Sequence, residues 1–159
     1  PRAVEFVAAL PRTLTGKLQR FRPRAGACVE SHEPAGWPRP KGYANAVSAT
    51  GRMVFVSGQI GWDPVTCVFA PGDFVAEVRQ ALANVVAALA VAGARPDQIT
   101  RLTWYITDRH EYARAQRDIG LAYREAMGRH YPAMSVVVVQ GLVEPQARVE
   151  IEATAMVGS

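Results

Sequence analysis

The spacing of apolar residues changes along this chain, and each change predicts an element. Residues 43–47 and 53–57 alternate over short runs joined through Thr50-Gly51, which predicts a β-hairpin. SGQIGWDP comes next and reads as a turn-rich loop. Phe74, Val78, Ala81, Leu82, Val85 and Leu89 then recur on one helical face, which predicts a helix over about 74–92. Asp73 is placed to cap it and Gly93 to stop it. Leu102, Trp104 and Ile106 alternate with Thr103 and Tyr105, the pattern of a strand over 99–106 with one buried face. Asp108 and Glu111 have capping-box spacing. A second helix should run to about Met127 and bury Tyr112, Ile119, Tyr123 and Met127. The continuous apolar run 135–139 predicts a strand covered on both faces. Residues 148–157 alternate again, with Val149, Ile151, Ala153, Ala155 and Val157 inward and Glu150, Glu152 and Thr154 outward.

The order is ββαβαββ. Few helices and a hairpin favour an α+β fold, a sheet with two helices on one face. The other sheet face would remain open and carries apolar residues, so self-association is the expected way to bury it. One domain suits 159 residues, with some chain to spare. The surplus lies at the start. Residues 22–42 hold four prolines and three glycines and read as a join rather than an element. The expected division is a leader over 1–24, a linker over 25–41 and a main domain over 42–159.

Charge respects the same division. The formal net charge is +4, but residues 1–41 hold eight basic and three acidic side chains. Residues 42–159 hold ten arginines, eleven acids and no lysine. A slightly acidic main domain offers no general attraction to a phosphate backbone, which argues against a nucleic-acid partner. The absence of lysine there also removes the usual Schiff-base nucleophile. No apolar run reads as a membrane span and no signal peptide is evident, so no membrane partner is expected. Cys28 and Cys67 are far apart and read as free thiols of a reducing compartment, the cytoplasm. His32, His110 and His130 share no ligand spacing, so no metal is assigned. His110 and His130 sit where exposed histidines are common.

Five segments carry a family resemblance: GYANAV (42–47), VFVSGQIGWD (54–63), ALANVVAAL (81–89), RHYPAMSVV (129–137) and VEIEATA (149–155). Residues from about 32 to 157 resemble the Rid superfamily, also known as YjgF-type proteins or reactive intermediate deaminases and formerly as L-PSP endoribonucleases or translation inhibitors. The resemblance implies a chorismate-mutase-like fold and a homotrimer with clefts between subunits. It implies a small-molecule substrate, an enamine or imine hydrolysed to a carbonyl compound and ammonia, with no metal or cofactor. Tyr43 matches the family's cleft tyrosine. Ser57 and Gly58 match the loop whose backbone N–H groups meet the ligand. Glu150 matches the glutamate that positions or activates water. Alternation alone would make Glu150 and Glu152 solvated strand residues.

The chain departs from the family at the cleft. Deaminating members read P-A-R-[ST], and that arginine grips the substrate carboxylate. Here Met134 takes its place, and an uncharged thioether makes no bidentate contact with a carboxylate. Val136 replaces a cysteine two residues on. The family's asparagine on the second helix has no clear match, Gly120 falling nearest. Met134 and Val136 are therefore expected as apolar walls of the substrate site. Arg52 and Arg148 are weighed as substitute cations and read as surface residues. The function expected is an enamine or imine deaminase acting on intermediates without a free carboxylate. The alternative is a non-catalytic small-molecule-binding or regulatory trimer. An endoribonuclease is less favoured, because a nuclease wants a basic face and a second acid–base group.

Residues 4–21, with LPRTLTGKLQR at 10–20, resemble the C-terminal tail of AMP-forming aromatic acyl-CoA ligases. Lys17 matches the lysine that serves a separate adenylating domain. The leader is expected to be a fusion remnant or an upstream ligase reading into this domain. Its presence suggests a place in aromatic-acid thioester catabolism, where a missing carboxylate anchor would cost little.

Overall fold

A computed structural model describes residues 29–69 and 72–158. The ligase-like leader, with Lys17, and Cys28 lie outside the described residues. Two short strands, β1 (Glu30–His32) and β2 (Ala46–Ser48), come first, then β3 (Arg52–Ile60). Helix α1 (Phe74–Val91) leads through a short 3-10 turn (Pro96–Gln98) to β4 (Ile99–Ile106). Helix α2 (Arg109–Met127), β5 (Ala133–Val138) and β6 (Val149–Val157) complete the chain. The four long strands form one sheet in the order β3-β6-β4-β5. All its pairings are antiparallel except β4 with β5, which α2 connects.

The helices start and stop as their local chemistry dictates. Asp73 accepts from the Ala76 N–H at 3.0 Å, satisfying a donor the first turn leaves free. Ala94 N–H returns to the Leu89 carbonyl, closing α1 around Gly93, the expected stop. Asp108 accepts from His110 and Glu111 N–H groups. The reciprocal half of the expected capping box is not made. Glu111 turns instead to Arg148, 2.9 Å from its Nη1. One sheet face and both helices share a core built on Val78, Leu82, Val85 and Leu89 of α1, Leu102, Trp104 and Ile106 of β4, and Val149 and Ile151 of β6.

By length and composition α1 could cross a membrane, contrary to the reading of the sequence. In the fold its apolar stripe is buried in that core, and it carries Glu77, Arg79, Gln80 and Asn84.

The start of the sheet differs from expectation. No hairpin joins β2 to β3; β2 pairs with β1, Ser31 opposite Val47. β1 lies within the stretch read as linker. Its three exposed polar residues give no periodic signal, and backbone pairing alone defines it. β3 also runs on through Ser57-Gly58-Gln59-Ile60, which reads as loop in the sequence. β5 is not covered on both faces within one chain. It is an outer strand, and Val136, Val137 and Val138 are exposed. His130 is half-buried rather than exposed, its Nε2 donating to the Ile99 carbonyl at 2.6 Å.

Candidate active site

Strand β3 slips by one residue against β6. Val56 faces Ala153 and Gln59 faces Ile151, so Ser57 and Gly58 together oppose Glu152 alone. This is a β-bulge, which takes a residue out of the regular ladder and re-aims the side chains beyond it. The Gln59 side-chain amide donates to the Ser57 and Gly58 carbonyls, both at 3.2 Å. Glu150 stands two residues from Glu152 on the same face of β6, half-buried. Its carboxyl group packs directly over Gly58, in the space any side chain at 58 would need. Three of the expected site residues, Ser57, Gly58 and Glu150, are thus brought together.

The base of this group is fixed by buried polar contacts from α1. Glu77 is 5% exposed and accepts from the Arg148 and Val149 N–H groups at 2.6 and 3.2 Å. Its second oxygen takes the Arg148 Nε–H at 2.8 Å. Asn84 donates to the Ile60 and Trp62 carbonyls at 3.0 and 2.9 Å. These two residues tie the end of β3 and the start of β6 to one helix. Arg148, weighed from sequence as a substrate cation, is committed to Glu77 and Glu111. Arg52 is committed to the Ala92 carbonyl at 2.8 Å.

Tyr43, Met134 and Val136 form a second group. They line a cavity of about 530 Å³ between α2, β5 and residues 41–43. Met134 pairs with Leu102 and Val136 with Trp104, so both lie on the helix-covered face of the sheet. Glu150 lies on the other face, paired with Tyr105. At about 4.8 Å per strand, β3 and β5 stand roughly 14 Å apart. A single chain therefore does not bring the two groups into one site.

The cavity holds features that the sequence did not single out. Trp104 forms part of its wall, is 2% exposed, and has an indole N–H with no acceptor among the described residues. Tyr123 stacks on Tyr131 with ring centroids 5.6 Å apart, and both line the cavity. Burial and the neighbouring Tyr131 hydroxyl push the Tyr123 phenol well above its ordinary range. It donates to the His130 carbonyl at 2.8 Å. Gly120, the position nearest the family's asparagine, and Arg124 line the same space. Among the described residues no group of three or more His, Cys, Asp or Glu is placed to hold a metal.

Comparison with known proteins agrees with this architecture. The family model for endoribonuclease L-PSP matches residues 38–157. Protein DfrA of Myxococcus xanthus is 34% identical over 119 residues, covering 72% of this chain and 84% of the relative. The 2-iminobutanoate/2-iminopropanoate deaminase of Capra hircus is 33% identical over 116 residues, 73% of this chain and 80% of that one. Among solved structures, YyfB of the conserved Rid protein family from Yersinia pestis superposes with a TM-score of 0.71 at 29% identity. That match covers 80% of this chain and 98% of the other. A family model spanning most of the chain, relatives above 30% identity and a shared fold leave one assignment: the chain belongs to the endoribonuclease L-PSP family, the family of the Rid proteins.

Proposed function

We propose that this protein is an enamine or imine deaminase whose substrates carry no free carboxylate on the reacting carbon. The observation that carries the reading is the Glu150 carboxyl group held over the Ser57–Gly58 bulge. In the reaction, water adds to the C=N carbon while Glu150 accepts the water's proton and passes it to nitrogen. The resulting carbinolamine collapses to the carbonyl product and expels ammonia. Each step needs one positioned proton carrier and little else. N–H groups at the bulge would orient the substrate. An enamine substrate would first take a proton on carbon to become the imine.

The cleft is completed in this reading by a second copy of the chain. One copy supplies Ser57, Gly58 and Glu150; its neighbour supplies Tyr43, Met134 and Val136. A ring of three copies would make three such clefts. Support comes from the two groups lying on opposite sheet faces, and from Phe55 at 74% and Met53 at 50% exposure on the uncovered one. Met134 in place of the arginine supports a substrate without an adjacent carboxylate. A role in aromatic-acid thioester catabolism rests on the ligase-like residues 4–21 alone.

The test is interception by semicarbazide. An amino-acid oxidase supplies free 2-imino acids, semicarbazide traps them, and a deaminase lowers the trapping rate. Wild type should be silent on these substrates, Met134→Arg should gain activity, and adding Glu150→Gln should abolish the gain. Wild-type activity on free 2-imino acids would defeat the statement about the carboxylate. Silence of both wild type and Met134→Arg would favour a binding or regulatory trimer, the reading that the lost arginine itself motivates.

A further inference from the structure

The cavity beside Met134 is larger than a three-carbon imine requires. At about 530 Å³ it falls in the range of sites that enclose whole small molecules. Its walls are mostly aromatic or aliphatic, with Trp104, Tyr112, Tyr131 and Ile119 among them. Its charged lining residues are Lys41 and Arg124, and no carboxylate lines it. Arg124, like most arginines among the described residues, has no ion-pair partner and is free to meet an anion.

Gly120 explains how Arg124 reaches the cavity. The two are one helical turn apart on α2, so they share a face. A Cβ at 120 would sit 3.8 Å from Arg124 Nη1, so the guanidinium lies along the helix over the glycine. A longer side chain there would compete for that place.

We propose that this cavity is a subsite for a ring-bearing substrate, and that Arg124, with Lys41, holds an anionic group of that substrate remote from the reacting carbon. Arg124 thereby acts as a relocated anchor, replacing in a new position the charge that Met134 does not carry. The inference rests on the deaminase reading for its reacting carbon, but not for its ligand class.

Calorimetric titration of the full chain tests it, with 3-phenylpropionate as the probe. The controls are 3-phenylpropanamide, which keeps shape and loses charge, and propionate, which keeps charge and loses the ring. The acid should bind about tenfold more tightly than either control, a margin of the size a charge-assisted contact supplies. Arg124→Gln should erase the preference over the amide, Arg124→Lys should restore part of it, and Glu150→Gln should leave it intact. The indole N–H resonance of Trp104 should shift on adding the acid. Equal affinity for acid and amide, an undiminished preference in Arg124→Gln, or no binding of 3-phenylpropionate would overturn the proposal. Binding as expected with no imine turnover by wild type or Met134→Arg would defeat the deaminase reading alone. Turnover with no charge preference would defeat the subsite alone.

Discussion

The Glu150 carboxyl group rests against the Cα of Gly58, across the pair of strands that the bulge distorts. Gly58 cannot gain a side chain without moving Glu150. Gly58→Ala puts a methyl group where the carboxyl lies and must turn Glu150 away. Made in the Met134→Arg background, where turnover of free 2-imino acids is expected, it should lose turnover to nearly the extent of Glu150→Gln, about 10²-fold or more for a proton carrier. Turnover and a thermal melt, measured together, separate this from unfolding. Unchanged turnover in Gly58→Ala would show that the position of Glu150 is immaterial.

Glu77 predicts a stability effect away from the reacting atoms. Its buried carboxylate satisfies two backbone N–H groups and one guanidinium N–H. Glu77→Ala strands all three donors, at a cost of about 3–5 kcal/mol, the range for breaking a buried pair. Urea unfolding should register it. Glu77→Gln keeps an acceptor and should lose less.

The shared cleft predicts complementation. In the Met134→Arg background, Glu150→Gln spoils one half, and Val136→Trp fills the other. Each alone should be inactive. Mixed in equal amounts and allowed to exchange, about a quarter of the clefts between copies receive two intact halves. Activity should recover to that level. No recovery after demonstrated exchange would place the whole site within one chain.

Asp108 predicts a pH effect with a defined sign. Its carboxylate accepts from the Glu111 and His110 N–H groups, which holds it below the ordinary 3.8. A group lowered in the folded state adds stability above its unfolded pKa and loses it as the pH falls through the folded one. Asp108→Asn keeps the oxygen acceptor but removes the titration. The stability difference between pH 7 and pH 3 should therefore be smaller in the variant, as denaturation midpoints would show.

The elements legible in the sequence are those with an unbroken period. α1, α2, β4 and β6 match the spacing of their apolar residues within a residue or two, because each buries one face along its whole length. β3 is legible only to Ser57. Val54 and Val56 point inward, but the bulge shifts the alternation, and Gln59 then pairs with inward-facing Ile151. Counting every second residue loses the strand where the site begins. Glu150 is legible through its family motif and not through its period, which marks Glu152 equally. The partnership of Gly120 with Arg124 is not legible at all. Four-residue spacing occurs throughout α2, and only the cavity distinguishes this pair.

The outer edge of β5 has one further consequence, for the life of the protein in a cell. Ala44 bridges to Ala133 at its start, and the exposed valines 136–138 continue along that outermost strand. Such an edge carries no lysine or proline to repel a stray strand. A newly made copy is therefore exposed to mispairing until something covers that strand. Copies whose β5 edge stays uncovered would be the ones removed by proteases or lost to aggregates. Under the proposed shared cleft, the abundance of usable protein would then depend on how fast chains find one another, as well as on how stable each one is.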